Sequence, residues 1–208
     1  METTNETLSR NKKIALTGAF SALIVVLSIT NLGFIAFSPV VSITILQIPV
    51  ILCAVFTGLK GGIFAGFVMG LMSLIKAAMS PTGILDPLFV NPLCSILPRM
   101  LLGAVAWLLW TLFKLIPVLP KTVNAALTGF IATLCHTVMV YGCIFTFKGA
   151  DIRAALESIG MAGAGFITVV GVGIVSELCE ALASLIVCTA VFAGLFIADS
   201  KRSKLSQQ

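Results

Sequence analysis

The chain has 208 residues, 59% of them hydrophobic and only 10% charged, and its mean hydropathy is +1.13. An ordinary soluble domain is about one quarter charged. This composition therefore excludes a disordered chain, a coiled coil and a secreted disulfide scaffold, and leaves too few polar residues to coat a soluble enzyme. The net charge of +5 comes from 13 Lys+Arg against 8 Asp+Glu, with no basic patch interleaved with aromatics, which argues against a nucleic-acid surface.

A spanning helix takes roughly 20 apolar residues, so the length accommodates six. The expected fold is an all-α integral membrane protein, a single compact bundle of six transmembrane helices. Residues 1–13 read as a polar segment ending in Arg10, Lys12 and Lys13. The apolar run Ile14 to Thr30 follows without a clear small-residue cleavage site, so it reads as a retained first helix rather than a signal peptide. Asn31 to Ser42 reads as an apolar loop that dips into the bilayer or covers a cavity. Ile43 to Thr57 is a short second span, Gly58 to Gly62 a tight turn, and Ile63 to Ala78 the third span. Met79 to Pro92 is a polar-rich outer loop and Leu93 to Leu115 the fourth span. A basic turn, Lys114 to Lys121, leads to the fifth span, Thr122 to Phe147. Lys148 to Glu157 reads as a loop, Gly160 to Gly165 as a small-residue approach, Phe166 to Ala198 as the last span, and residues 199–208 as a basic tail.

Basic residues mark the cytoplasmic side of a membrane protein. With the N-terminus inside, the inner segments hold Arg10, Lys12, Lys13, Lys60, Lys114, Lys121, Lys201, Arg202 and Lys204, and the outer loops only Lys148 and Arg153. The expected topology has both termini inside, with residues 1–13 and 199–208 cytoplasmic and residues 14–198 forming one domain in the cell membrane.

Chemistry is expected where ionisable residues fall inside spans, because a charge in the bilayer core is costly and usually faces a cavity, a partner or a pathway. Lys76, Arg99, His136, Glu177 and Glu180 do so. Lys76 and Arg99 can snorkel to the headgroups instead, Arg99 can pair with either glutamate, and His136 can be a satisfied core residue. Glu177 and Glu180 lie one helical turn apart and project to one side, with Asp86 and Asn91 in the loop above. Tyr141 reads as an interfacial aromatic or a cavity residue. Together these groups suggest a cavity open to the outside. Gly58, Gly62, Gly66 and Gly70 recur every four residues and form a groove for close helix packing. Ala15 and Ala19 form a small-xxx-small pair that packs helices or docks a partner.

No GxxxxGK[ST] phosphate loop, HExxH or GxSxG motif occurs, so no catalytic residue is assigned and no enzyme activity is expected. The six cysteines form no CxxC pair and read as small apolar residues. A single histidine makes a histidine-cluster metal site impossible, and neither a metal nor another cofactor is expected. No duplicated half-sequence, as in many secondary transporters, is visible.

Several stretches resemble a known family. Ile43-Thr44-Ile45-Leu46-Gln47-Ile48-Pro49-Val50, Gly58-Leu59-Lys60-Gly61-Gly62, Gly66 to Ser73, and above all Phe89-Val90-Asn91-Pro92-Leu93-Cys94-Ser95-Ile96-Leu97-Pro98-Arg99 are similar to the substrate-binding S components of energy-coupling-factor (ECF) vitamin transporters. The basic N-terminus before Ala15-Leu16-Thr17-Gly18-Ala19, and Glu180-Ala181, fit the same pattern. The resemblance implies capture of a vitamin-sized molecule on the outer face. It also implies assembly with a membrane-embedded coupling (T) subunit and two cytoplasmic ATPase subunits. It points to Asn91, Arg99, His136, Tyr141, Glu177 and Glu180 as substrate-binding and to Ala15 and Ala19 as the coupling-subunit contact. Family members often carry Asn-Thr where this chain has His136-Thr137, which changes the hydrogen bonding offered to a ligand. Arg99 suits a carboxylate, so a pantothenate-like acid is favoured and riboflavin comes next. The contrasting expectation is a stand-alone ion-coupled transporter using Glu177 and Glu180.

Overall fold

The structure is a computed structural model that describes residues 10–30, 32–36, 42–81, 86–157 and 177–194. The basic tail, Gly160 to Gly165 and the start of the last predicted span lie outside the described residues, as do the side chains of Asp86 and Arg153.

Six described helices carry the fold: α1 Arg10–Ile29, α2 Gln47–Thr57, α3 Leu59–Met79, α4 Pro92–Phe113, α5 Lys121–Glu157 and α6 Glu177–Gly194. Five of them are long and apolar enough to cross a membrane, and α2 is a shorter apolar helix. At 11 residues, α2 rises only about 16 Å, roughly half of a hydrocarbon core. It is nevertheless the best-covered helix: every residue from Gln47 to Ala54 is buried.

The chain entering α2 corrects the expectation of an irregular first loop. Strands β1 (Phe34–Ala36) and β2 (Ser42–Thr44) form an antiparallel ribbon with Phe34 opposite Thr44. Backbone bonds from Gly33 N to Leu27 O (3.0 Å) and from Ile45 N to Gly33 O (3.1 Å) tie the ribbon to α1. Phe34, Ile35, Ile43 and Thr44 are aromatic or β-branched, the types that suit a pleated strand, and pairing satisfies backbone groups that an apolar setting leaves without water.

The expected turn Gly58 to Gly62 is narrower than predicted. Gly58 alone makes it, at φ 92°, a left-handed value that favours glycine, and α3 starts at Leu59. Gly58 is therefore not part of the glycine groove, and the groove lies deeper. A Cβ on Gly66 would sit 2.1 Å from Arg99 O, one on Gly70 2.6 Å from Ile96 Cα, and one on Gly103 2.1 Å from Gly62 O. Helices α3 and α4 thus run antiparallel with backbones in near contact, and Ser95 Oγ donates across the seam to Gly70 O at 2.9 Å. Gly66→Leu forces this seam apart. We expect a lower melting temperature in detergent, equivalent to about 1–3 kcal/mol, whereas Gly142→Leu, with open space around it, leaves it within a degree or two.

The predicted loop Lys148 to Glu157 is helical. Helix α5 continues through a kink at Lys148 (φ −135°, ψ 28°), and Lys148 Nζ pairs with Asp151 Oδ2 at 2.7 Å one turn on. Ala150, Ala154, Ala155 and Leu156 are strong helix formers, which outweighs the polar character that suggested a loop.

Helix α6 runs antiparallel to α5, with Thr133 Oγ1 donating to Ser184 Oγ at 2.9 Å. At the end of the bundle that holds Arg10 and Lys114, Phe56 stacks on Phe192 (5.2 Å between centroids) and Trp110 tilts against Phe192 (5.1 Å). This aromatic cluster joins α2, α4 and α6. The polar groups gather at the opposite end.

Candidate functional site

Arg99 is set up by the residue before it. Pro98 lies inside α4 and has no N–H, so the carbonyl four residues back, that of Cys94, has no helical donor. Arg99 Nη1 takes that carbonyl at 2.7 Å. The side chain thereby folds back toward the start of α4, and its guanidinium lies over the Phe89 ring at 4.7 Å, a cation–π contact. Phe89 belongs to the short 3₁₀ turn Asp86–Val90 that leads into α4. Arg99 is 7% exposed and its Nε has no hydrogen-bond partner. Among the described residues no carboxylate comes within 4 Å of it, so the alternative of a direct Arg99–glutamate ion pair is not formed. Pro98→Ala returns a helical donor to Cys94 O. We expect it to release the guanidinium and weaken ligand affinity about tenfold, the cost of one charged hydrogen bond, read by isothermal titration.

Glu180 on α6 is committed elsewhere. Its Oε1 accepts from the Thr44 backbone N–H and, at 3.2 Å, from Thr44 Oγ1, while its Oε2 accepts from Gln47 Nε2 at 2.8 Å. The start of α2 has no side-chain cap of its own. Glu180 supplies an acceptor there from another helix, where the end of β2 leaves a donor over. Both of its oxygens are occupied, and the residue is 5% exposed. On this geometry it ties α6 to β2 and to the start of α2. Glu180→Gln turns one acceptor into a donor facing the Gln47 amide, and we expect a melting temperature several degrees lower, consistent with about 1–3 kcal/mol for an unsatisfied buried group.

Glu177 sits one turn away and is half-buried. Its Oε2 accepts from Thr137 Oγ1 on α5, and Tyr141, one turn further along α5, lies beside it. His136 is 6% exposed and its Nε2 is unpartnered. Five predicted residues, Arg99, His136, Tyr141, Glu177 and Glu180, therefore converge from α4, α5 and α6 at the end of the bundle that carries the ribbon.

Asn91 stands apart. It is the N-cap of α4, with Oδ1 accepting from Leu93 N at 3.0 Å and Pro92 following at the first helical position. Eight residues of helix, about 12 Å of rise, separate its backbone from that of Arg99, whose guanidinium folds back to Cys94 O and Phe89 on either side of Asn91 in sequence. Ala15 and Ala19 are exposed on an outward face of α1, far from this cluster. Lys76 is half-buried in the last turn of α3.

Sequence reasoning did not assign roles to Gln47, Thr44, Thr137 and Phe89. Gln47 carried a signal, as a lone amide in the apolar run Ile43–Val50 and fully buried here. The contacts of Thr44 and Thr137 reach across 136 and 40 residues, which local sequence does not reveal.

Residues 12–192 match the family described as ECF transporter, substrate-specific component. A pantothenic acid transporter (PanT) of Lactococcus lactis subsp. cremoris is 26% identical over 163 residues, covering 72% of this chain and 80% of that protein. A pantothenate transporter (PanT) of Leuconostoc mesenteroides subsp. mesenteroides is 30% identical over 139 residues, covering 64% and 67%. Both names concern pantothenate, and neither supports the riboflavin alternative. With its several apolar spans, the chain is a multi-pass protein of the plasma membrane, and it belongs to the substrate-specific component family of ECF transporters.

Proposed function

We propose that the chain captures pantothenate, or an acid of similar size and polarity, on the outer face of the membrane. It hands the vitamin inward together with a coupling subunit and two ATPase subunits. The observation that carries the substrate class is Arg99, a buried cation held in a defined orientation with one unpartnered N–H and no carboxylate within 4 Å among the described residues. A buried charge is costly without a counter-charge, and a ligand carboxylate supplies one. His136 Nε2 and Tyr141 offer hydrogen bonds to the hydroxyl and amide groups of such an acid, and the printed names of the two relatives agree with it.

In this reading both termini are cytoplasmic, the Arg99 cluster lies in the outer half, and the β1–β2 ribbon covers it. Asn91 contributes at the mouth through its amide nitrogen, its Oδ1 being taken by Leu93 N. Ala15 and Ala19 offer the coupling subunit a close-approach face, and the chain performs no catalysis. Glu180, with both oxygens engaged by Thr44 and Gln47, is ill placed to carry a coupling ion, which weighs against a stand-alone ion-driven transporter. Proteoliposomes containing the purified chain alone test this. Under an imposed proton or sodium gradient we expect binding of labelled pantothenate without concentrative uptake. Gradient-driven accumulation by the chain alone contradicts the proposal.

A further inference from the structure

At the basic end of the bundle, remote from the Arg99 cluster, a cavity of about 1000 Å³ opens between the start of α1, the α2–α3 turn and α4. Three cations line it, Arg10 and Lys13 from α1 and Lys60 from α3, and among the described residues no acidic residue does. Among the described residues none of the three has an anionic partner. The wall below them is apolar, formed by Ile14, Phe64 and Trp107, with Ile14 and Phe64 exposed. The cavity owes its depth to missing side chains. Gly18 and Gly58 line it, and a Cβ at either would meet nothing within 4 Å.

We infer that this groove seats an anionic phospholipid, its phosphate among Arg10, Lys13 and Lys60 and an acyl chain along Ile14, Phe64 and Trp107. The arrangement has the two parts such an amphiphile needs: clustered positive charge at the ends of apolar helices, and a continuous apolar wall leading from it into the span. A free inorganic anion would use only the first part. Basic clusters next to spanning helices attract anionic headgroups, with each Lys or Arg strengthening binding roughly fivefold. The inference is independent of which vitamin, if any, occupies the opposite end.

Native mass spectrometry of the intact protein, titrated with phosphatidylglycerol or phosphatidylcholine, tests it. We expect one phosphatidylglycerol to be retained in preference to phosphatidylcholine, and the combined Arg10→Gln, Lys13→Gln and Lys60→Gln variant to bind it on the order of 100-fold more weakly. Lys114→Gln with Lys121→Gln, which removes the same kind of charge elsewhere at this end, should leave binding within twofold. Gly18→Leu changes no charge and favours helix, yet should abolish the retained lipid by filling the groove. Glycerol 3-phosphate and inorganic phosphate should fail to displace it. Equal retention of both lipids, unchanged binding in the Gly18→Leu variant, or displacement by inorganic phosphate would overturn the assignment. Displacement by a short oligoglutamate peptide at micromolar concentration would overturn it too, giving the groove to an acidic protein segment.

Discussion

Arg99→Ala is expected to lower pantothenate affinity by at least about 100-fold, or roughly 3 kcal/mol, the range for truncating one partner of a buried, hydrogen-bonded charge pair. The same substitution should leave the melting temperature of the ligand-free protein about unchanged, because removing a buried cation with no carboxylate within 4 Å among the described residues offsets the loss of the hydrogen bond to Cys94 O. These two outcomes together separate a ligand-binding arginine from a structural one, whose loss would lower the melting temperature and affect binding only through the fold. Arg99→Lys should fall between. It keeps the charge but loses the planar fork that reaches Cys94 O at 2.7 Å and lies on Phe89. Thermal-shift and titration measurements on the same preparations read both quantities.

Ala15→Trp combined with Ala19→Trp is expected to abolish transport by the assembled complex, to below about 5% of the unmodified rate, while binding by the isolated chain stays within twofold. The two alanines are exposed on α1, on a face that no described helix covers, and small residues at this spacing let another helix backbone come close. Two indoles on that face prevent the approach. They are far from Arg99 and do not enter the α1 contact with α2 and α3, where Thr17 lies against Thr57 and Gly61. Uptake in cells that express the whole transporter, set beside titration of the purified chain, checks the pair. Loss of binding, or normal uptake, would place the coupling face elsewhere.

Much of the architecture was legible because apolar runs, glycine spacing and basic turns are local signals. The spacing of Gly62, Gly66 and Gly70 anticipated the α3–α4 seam, although Gly58 proved to be a turn residue with φ 92°. Asn91-Pro92 carries a helix-start signature, an N-cap residue followed by proline at N1, and the structure places the start of α4 there. Lys148 to Glu157 read as loop from its charges, yet the alanine content and the Lys148–Asp151 pair sustain a helix. The link from Glu180 to Thr44 and Gln47 could not be read at all. It requires α6 to meet the ribbon end of α2, a contact across more than 130 residues that engages both carboxylate oxygens. Pro98 is intermediate, since its place before Arg99 was visible but the freed carbonyl that orients the guanidinium emerges only with the helix built around it.

The central claim, that a buried arginine site recognises the carboxylate of pantothenate, is tested most directly by equilibrium binding of labelled pantothenate to the purified, detergent-solubilised chain. Competition by pantothenol, which has an alcohol in place of the carboxylate, and by riboflavin completes the test. The account predicts saturable binding of one pantothenate per chain, with pantothenol competing at least about 100-fold more weakly, as expected when a site built for a polar group meets an analogue that lacks it, and no competition by riboflavin. Equal competition by pantothenol, displacement by riboflavin, or no saturable binding by a folded, monodisperse preparation would contradict it.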